Sequence, residues 1–435
     1  MAKSTSVFVC QSCGFQNSKW LGQCPECQAW NTLVESLVPT TPAGFGGRKP
    51  SKKIAVPTTK LSEVASKKIA RMPTTFGELD RVLGGGIVPG SLTLVAGPPG
   101  VGKSSLLTAV VAKCKGLYVL GEESPQQVRL RVERLGLPTD FTVLPETNAE
   151  TIVASITDQS VVIIDSIQTI WTEKLTGVAG SVGQIRESAQ ILLHRAKETD
   201  VPVILVGHVT KEGVVAGPKI LEHLVDTVLQ FEGDGRHEFR LLRAVKNRFG
   251  PTDEVGVFAM QDSGLTEINN PSELFLQNGK DSFNAPGSVV VCSMQGVRPV
   301  LVEIQALVNP TNLAIPRHVG TGIDQRRLQI ICAILERHAG LRLGDKDVFV
   351  NVAGGLNLRE PAVDLGVCLA IASSYKNKPI SSKTVAVGEV GLLGEIRKVS
   401  FLDKRLKEAK SQGYTVALTA SEVSKIREAV TKALA

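Results

Sequence analysis

The chain has 435 residues, enough for two to four domains at roughly 100–200 residues each. Hydrophobic residues are 43% and charged ones 21%, which excludes bulk disorder, and a low aromatic share of 4% against 41 Gly points to sites built from backbone. The longest charge-free run, Val82 to Gly102, holds seven Gly and three Pro and supplies no bilayer-spanning helix, so a soluble protein is expected. The net charge of +7 is concentrated between Arg48 and Arg71, where eight Lys/Arg stand against Glu63 alone. Such a run is either a solvated linker or a patch favouring a polyanion.

Residues 1–33 read as a cysteine module. Cys10-x2-Cys13, ten intervening residues, then Cys24-x2-Cys27 is the spacing of a four-thiolate zinc ribbon, each turn presenting two sulfurs to one side. Gly14 and Gly22 adjoin the pairs, and Trp20 and Trp30 are expected to cover the small core. So short a module cannot fold on apolar burial alone; Zn²⁺ would contribute roughly 10–16 kcal/mol. Four thiolates leave no open position, so the zinc would be structural. The alternative, a redox Cys-x-x-Cys, needs only one pair. Cys114, Cys292, Cys332 and Cys368 stand alone in apolar contexts, and no apolar signal core precedes Cys10, which predicts a reducing, cytoplasmic setting.

Residues 34–72 form a basic Pro/Gly linker without helix or strand periodicity. Strands and helices then alternate over 73–266: strands at Leu92–Ala96, Leu117–Leu120, Val161–Ile164 and Val203–Val206, with a helix at Lys103–Ala112. Continuous Val/Ile runs separated by helices predict an α/β fold with a parallel sheet covered on both faces. Residues 267–435 read as a second α/β domain, with paired strands at Ser288–Cys292 and Val300–Ala306 and helices around Arg326–His338 and Ala362–Ser373.

Gly97, Pro98, Pro99, Gly100, Val101, Gly102, Lys103, Ser104 and Ser105 follow a strand and open a helix, the context of a Walker A loop. Its glycines let successive N–H groups face phosphates, Lys103 offers a charge to the β and γ phosphates of ATP, and Ser104 a hydroxyl to Mg²⁺. Val161–Ile164 runs into Asp165, a carboxylate placed for the metal's water shell. A neighbouring strand ends in Glu122 and Glu123. Glu123 is expected to orient the attacking water with Glu122 in support; both could instead be surface acids ahead of the helix at Ser124-Pro125.

The segments Phe76–Asp80 and Leu83–Ser91, with the loop that follows, resemble the entry to a RecA-type motor core. Lys246-Asn247-Arg248-Phe249-Gly250 resembles the Lys-x-Arg-x-Gly segment of replicative hexameric helicases and, as it stands, the signature of the bacterial RadA (Sms) repair family. Ribbon, core and C-terminal domain occur in that family's order. On a strand Lys246 and Arg248 share a face; the resemblance implies that this face reaches a neighbouring subunit's γ-phosphate. The other reading is a basic strand that binds phosphate or nucleic acid. By the same resemblance, Trp171–Gly183 and Thr210–Lys219 correspond to DNA-binding loops, and His208 to a γ-phosphate sensor; the other readings are plain connecting loops and a structural histidine.

Val348–Gly355 and Val387–Ile396 resemble the Lon protease domain, which raises ATP-driven proteolysis as a rival function. The nucleophile position of that family falls on Ala362 and the general-base position on Asp403, so both groups are missing. The resemblance thus implies a cytoplasmic, hexameric, DNA-dependent ATPase without protease activity. It would hold single-stranded DNA, drive branch migration in recombination and repair, and meet a RecA-type recombinase and branched intermediates. A signalling ATPase and a passive DNA-binding module remain as other readings.

Overall fold

The structure, a computed structural model, describes residues 5–10, 16–17, 19–25, 28, 30–38, 60, 70–208, 220–233, 239–261, 264–277 and 285–435. The N-terminal module is a three-stranded antiparallel sheet of β1 (Thr5–Cys10), β2 (Gln16–Asn17) and β3 (Leu33–Val38), ordered β2-β1-β3. Cys10, Cys24 and Leu33 form its buried centre, with Phe8 and Leu21 against them. Two expectations are corrected. Pairing of Thr5 with Val38 carries the module past residue 34, where the linker was expected to begin. Trp20 and Trp30 are 54% and 70% exposed and do not cover the core; Trp20 instead donates its Nε1 proton to Leu33 O at 3.1 Å. Of the expected linker, 39–59 and 61–69 lie outside the described residues.

The large unit closes from Arg71 onward, where Met72 pairs with Ile87 across a β-bridge. Its strands are β4 (Leu92–Gly97), β5 (Leu117–Leu120), β6 (Thr142–Leu144), β7 (Val162–Asp165), β8 (Val203–His208), β9 (Thr227–Glu232), β10 (Phe239–Asn247), β11 (Val255–Gln261) and β12 (Gly264–Glu267). Its principal helices are α1 (Gly77–Leu83), α2 (Lys103–Cys114), α3 (Pro125–Arg134), α4 (Ala149–Ala154) and α5 (Val182–Thr199). The sheet runs β12-β11-β10-β9-β4-β8-β7-β5-β6. Strand alternation sends Val95, Tyr118, Leu120 and Ile163 to one face, under α1, α2 and α3, and Leu94, Val119, Val162 and Ile164 to the other, under α4 and α5. Burial on both faces explains the unbroken apolar runs of β4, β5 and β7. The sheet is parallel from β6 to β9 but antiparallel at β9–β10 and β11–β12, because the links there are too short for a crossover helix.

A second unit comprises Asp253–Val257 and Ile268–Ala435. Its sheet contains β13 (Ser288–Gln295), β14 (Arg298–Pro310), β15 (His318–Thr321), β16 (Lys346–Val352), β17 (Thr384–Val387) and β20 (Val416–Thr419), while β18 (Glu389–Val390) and β19 (Ile396–Arg397) form a separate small ladder. The order is β15-β16-β14-β13-β17-β20, with β13 and β14 an antiparallel pair. The helix Asp364–Lys376 is buried through its first ten residues; at Gly366 a Cβ would lie 2.0 Å from Val291 Cγ1, so only glycine lets the helix lie this close to β13. The helix expected at Arg326–His338 is α-helical over Gln325–Ile334 and ends in a π turn, Leu335–Ala339. No helix among the described residues is long and apolar enough to cross a membrane.

Candidate nucleotide site

Strand register assembles the site at the carboxyl edge of the parallel sheet, where open α/β folds bind ligands. Gly97 of β4 pairs with His208 of β8, and Leu120 of β5 with Asp165 of β7, so four strand ends stand side by side. The loop after β4 turns through Gly100 and Gly102, both left-handed at φ +74° and +108°. Lys103 opens α2, and its Nζ donates to Gly97 O at 2.8 Å and Pro98 O at 2.9 Å. Burial lowers its pKa to about 8, against the charges of Asp165 and Glu122, which raise it. A buried ammonium held only by carbonyls is a fitting partner for phosphate oxygens. Ser104 and Ser105 lie in the first turn of α2 and are partly exposed.

Asp165 ends β7 and is buried. Its Oδ2 accepts from the hydroxyl of Tyr118 at 2.7 Å. A hydroxyl and a carboxylate are hard oxygen donors of the kind that hold Mg²⁺ together with substrate phosphates, so Ser104 and Asp165 fit the ion chemically. Glu122 accepts from Ser166 Oγ, and its Oε1 lies 3.6 Å from His208 Nε2. Gln168 Nε2 donates to His208 O at 3.5 Å, while Gln168 Oε1 and His208 Nδ1 are buried without a hydrogen-bond partner among the described residues.

Glu123, the residue expected to orient the attacking water, is paired with Arg131 of α3. Arg131 Nη1 donates to its Oε1 at 2.7 Å and also reaches Oε2, so its carboxylate is held against α3. Glu122 is the acid that faces Ser166, His208 and the Lys103 charge. The structure also brings in residues the sequence reading missed: Tyr118, Arg131, Ser166 and Gln168. Tyr118 carried a legible signal, because a tyrosine inside a buried Leu/Val strand needs a partner for its hydroxyl.

Lys246 and Arg248 meet at one turn, though not by simple strand alternation. The register of β10 shifts between Ala244 and Lys246, and Arg248 lies beyond the strand's end. Lys246 Nζ donates to Glu222 O at 2.7 Å and Val225 O at 2.8 Å, while Arg248 Nη1 donates to Asp226 Oδ1 at 3.0 Å. Burial and then the Arg248 charge lower the Lys246 pKa. The Arg248 side chain is half exposed.

The loop Trp171–Gly183 is organised by Gln184, whose Nε2 donates to the carbonyls of Thr172, Leu175 and Gly177. Trp171, Leu175 and Val178 are exposed on it. The second expected loop, Thr210–Lys219, lies outside the described residues. In the ribbon, Cys10 and Cys24 are both buried; Cys10 Sγ lies 3.2 Å from Thr32 Oγ1. Cys13 and Cys27 lie outside the described residues.

Comparison with known proteins places this geometry. The DNA repair protein RadA of Halalkalibacterium halodurans is 48% identical over 430 residues, spanning 95% of this chain and 92% of that protein. The chain belongs to the RadA family.

The proteins named DNA repair protein RadA of Bacillus subtilis and Pseudomonas aeruginosa are 47% and 48% identical, over 95% and 96% of this chain and 92% and 93% of theirs. Residues 8–35 match the rubredoxin metal binding domain, 71–202 a family of unknown function, and 309–422 the subunit ChlI of Mg-chelatase family. Among solved structures, the RadB recombinase matches at 22% identity with a TM-score of 0.37, covering 45% of this chain and 99% of that one. A KaiC-like protein from Pyrococcus horikoshii matches at 19% identity and TM-score 0.39, covering 46% and 99%. The chain thus joins a ribbon that matches a metal-binding family, an α/β core and a second α/β domain that matches the ChlI family.

In this RadA-family chain the position that resembles the Lon nucleophile, Ala362, is buried in the short turn Pro361–Val363 and lines a cavity of about 450 Å³. Asp403 lies in the first turn of the helix Leu402–Ser411. The cavity wall is fixed by Arg405, which is 2% exposed and donates to Cys292 O at 2.6 Å and to both oxygens of Glu360 at 2.9 and 2.6 Å.

Proposed function

We propose that the chain is a DNA-dependent ATPase that assembles as a homo-hexameric ring on single-stranded DNA and drives branch migration during recombinational repair. RadA-family membership supports the repair role. The observation that carries the ATPase reading is the meeting of Lys103, Asp165 and Glu122 at one sheet edge, next to a phosphate-binding loop.

Gly97–Gly102 and Lys103 would hold the phosphates of ATP, with Ser104 and Asp165 on Mg²⁺, which when bound neutralises developing phosphate charge. Glu122, rather than Glu123, would orient the attacking water, since Arg131 already holds Glu123. Lys246 and the half-exposed Arg248 would act on the γ-phosphate of an adjacent subunit, making turnover depend on assembly. His208, beside Glu122, would sense the γ-phosphate. Trp171–Gly183 and Thr210–Lys219 would follow the DNA backbone, and a RecA-type recombinase would be the protein partner. Cys10, Cys13, Cys24 and Cys27 would hold a structural Zn²⁺. The C-terminal domain would serve assembly and DNA binding without cleaving peptides, because Ala362 has no nucleophile to offer.

The ATPase rate with and without single-stranded DNA, at two salt concentrations, tests this. Phosphate-driven binding weakens as salt rises, so the expected result is stimulation that falls at high salt. Turnover indifferent to DNA would move the reading to a signalling ATPase.

A further inference from the structure

Tyr118 is the odd member of β5, a hydroxyl-bearing ring with no exposed surface among Leu117, Val119 and Leu120. Its hydroxyl donates to Asp165 Oδ2 at 2.7 Å and accepts from Arg131 Nη2 at 3.3 Å. Arg131 reaches further. Its Nε donates to Thr108 Oγ1 at 3.2 Å, and the Thr108 hydroxyl donates to Ser104 O at 2.6 Å. Its Nη1 holds Glu123. One guanidinium from α3 therefore connects the first turn of α2, the carboxylate ending β7 by way of Tyr118, and Glu123.

We propose that Tyr118 and Arg131 are positioning residues that set the spacing between Ser104 and Asp165 and so preorganise the chain for Mg²⁺-nucleotide. The inference rests on the nucleotide-site reading above. With Oδ2 engaged by Tyr118, Asp165 keeps Oδ1 for the metal side. The Thr108 hydroxyl links Arg131 to the Ser104 backbone, so a shift of Arg131 moves both oxygen donors at once. Arginine suits the place because its planar fork donates in several fixed directions, which a lysine ammonium does not reproduce. Parking Glu123 on the same guanidinium also keeps a second carboxylate away from the phosphates.

The test uses the full chain with Tyr118→Phe and Arg131→Lys, and follows equilibrium binding of a fluorescent, non-hydrolysable ATP analogue as Mg²⁺ is titrated. Residues that orient metal ligands typically contribute 10–100-fold to metal affinity. The Mg²⁺ concentration at half-effect should rise about 10-fold or more in each variant, while binding in EDTA changes less than about twofold. An unchanged Mg²⁺ midpoint in Tyr118→Phe overturns the proposal; this variant removes one hydroxyl and keeps the ring, so it decides the matter even if Arg131→Lys fails to fold. Failure of the underlying reading looks different: wild type would not bind the analogue, or Lys103→Ala would bind it as well as wild type.

Discussion

His208 Nε2 lies 3.6 Å from Glu122 Oε1, so the last residue of β8 touches the acid that follows β5, across the end of β7. Glu122 also accepts from Ser166, directly after Asp165. The three strand ends thus share one polar cluster, and Glu123 stands outside it on Arg131. Glu122→Gln should retain ATP binding and lower turnover by about 10²–10⁴, the range for a positioned acid–base group. Glu123→Gln should lose less. Steady-state ATPase assays on both variants compare them; equal losses would return Glu123 to the hydrolytic role.

Arg248 holds Asp226 within its own chain and leaves half of its side chain exposed. Arg248→Ala should bind nucleotide normally but lose DNA-stimulated turnover by up to ~10³–10⁵, the range for cations supplied in trans. Mixing Arg248→Ala with Lys103→Ala subunits should recover part of the stimulation, because each would supply what its neighbour lacks. Stimulation intact in Arg248→Ala alone would remove the trans role.

Lys103 has a pKa near 8 in the free protein, lowered mainly by burial. Phosphate favours its charged form, so nucleotide binding near pH 8 should take up a proton, and affinity should fall as pH rises through about 8. Titration calorimetry in two buffers of different ionisation enthalpy reads this directly. Identical heats would contradict it. The same lowered pKa means that between about 8 and the ordinary 10.5 the unfolded chain binds more protons at this site, so its contribution to stability rises with pH there.

Cys24 is buried in the centre of the ribbon beside Cys10 and Leu33. Cys24→Ser should release one Zn²⁺ per chain into a colorimetric chelator and unfold the module, since metal binding and folding are one event in domains this small. Full metal content after the change would exclude the four-thiolate assignment.

Arg405→Ala would leave Glu360 without its cation, with the Met294 N–H donating to its Oε1, in a mostly buried site. The C-terminal unit should lose about 3–5 kcal/mol, as when one member of a buried ion pair is removed. Urea denaturation followed by signals from that unit would measure the loss, and a change below 1 kcal/mol would mean that water replaces the guanidinium.

The elements most legible in the sequence were those with dense local signals. The cysteine spacing marked the ribbon, and the apolar run ending in Asp165 marked β7 within one residue of its observed start. What was not legible has local causes. Glu122 and Glu123 are chemically identical neighbours, and what separates them is Arg131, eight residues beyond Glu123 on a different element. The two tryptophans look like core residues by type alone, yet the strand that closes the ribbon leaves them outside.

By itself, the sequence determined the order of the parts, the glycine-rich turn that opens α2 and the aspartate that ends β7, because each depends on residue type at fixed local spacing. Only the tertiary structure decided which glutamate lies beside Ser166 and His208, that Tyr118 and Arg131 tie Asp165 to the first turn of α2, and that Lys246 and Arg248 meet at the 222–226 turn. Those relations arise where parallel strands end side by side, and strand order in a sheet brings together residues whose separation along the chain carries no periodic signal.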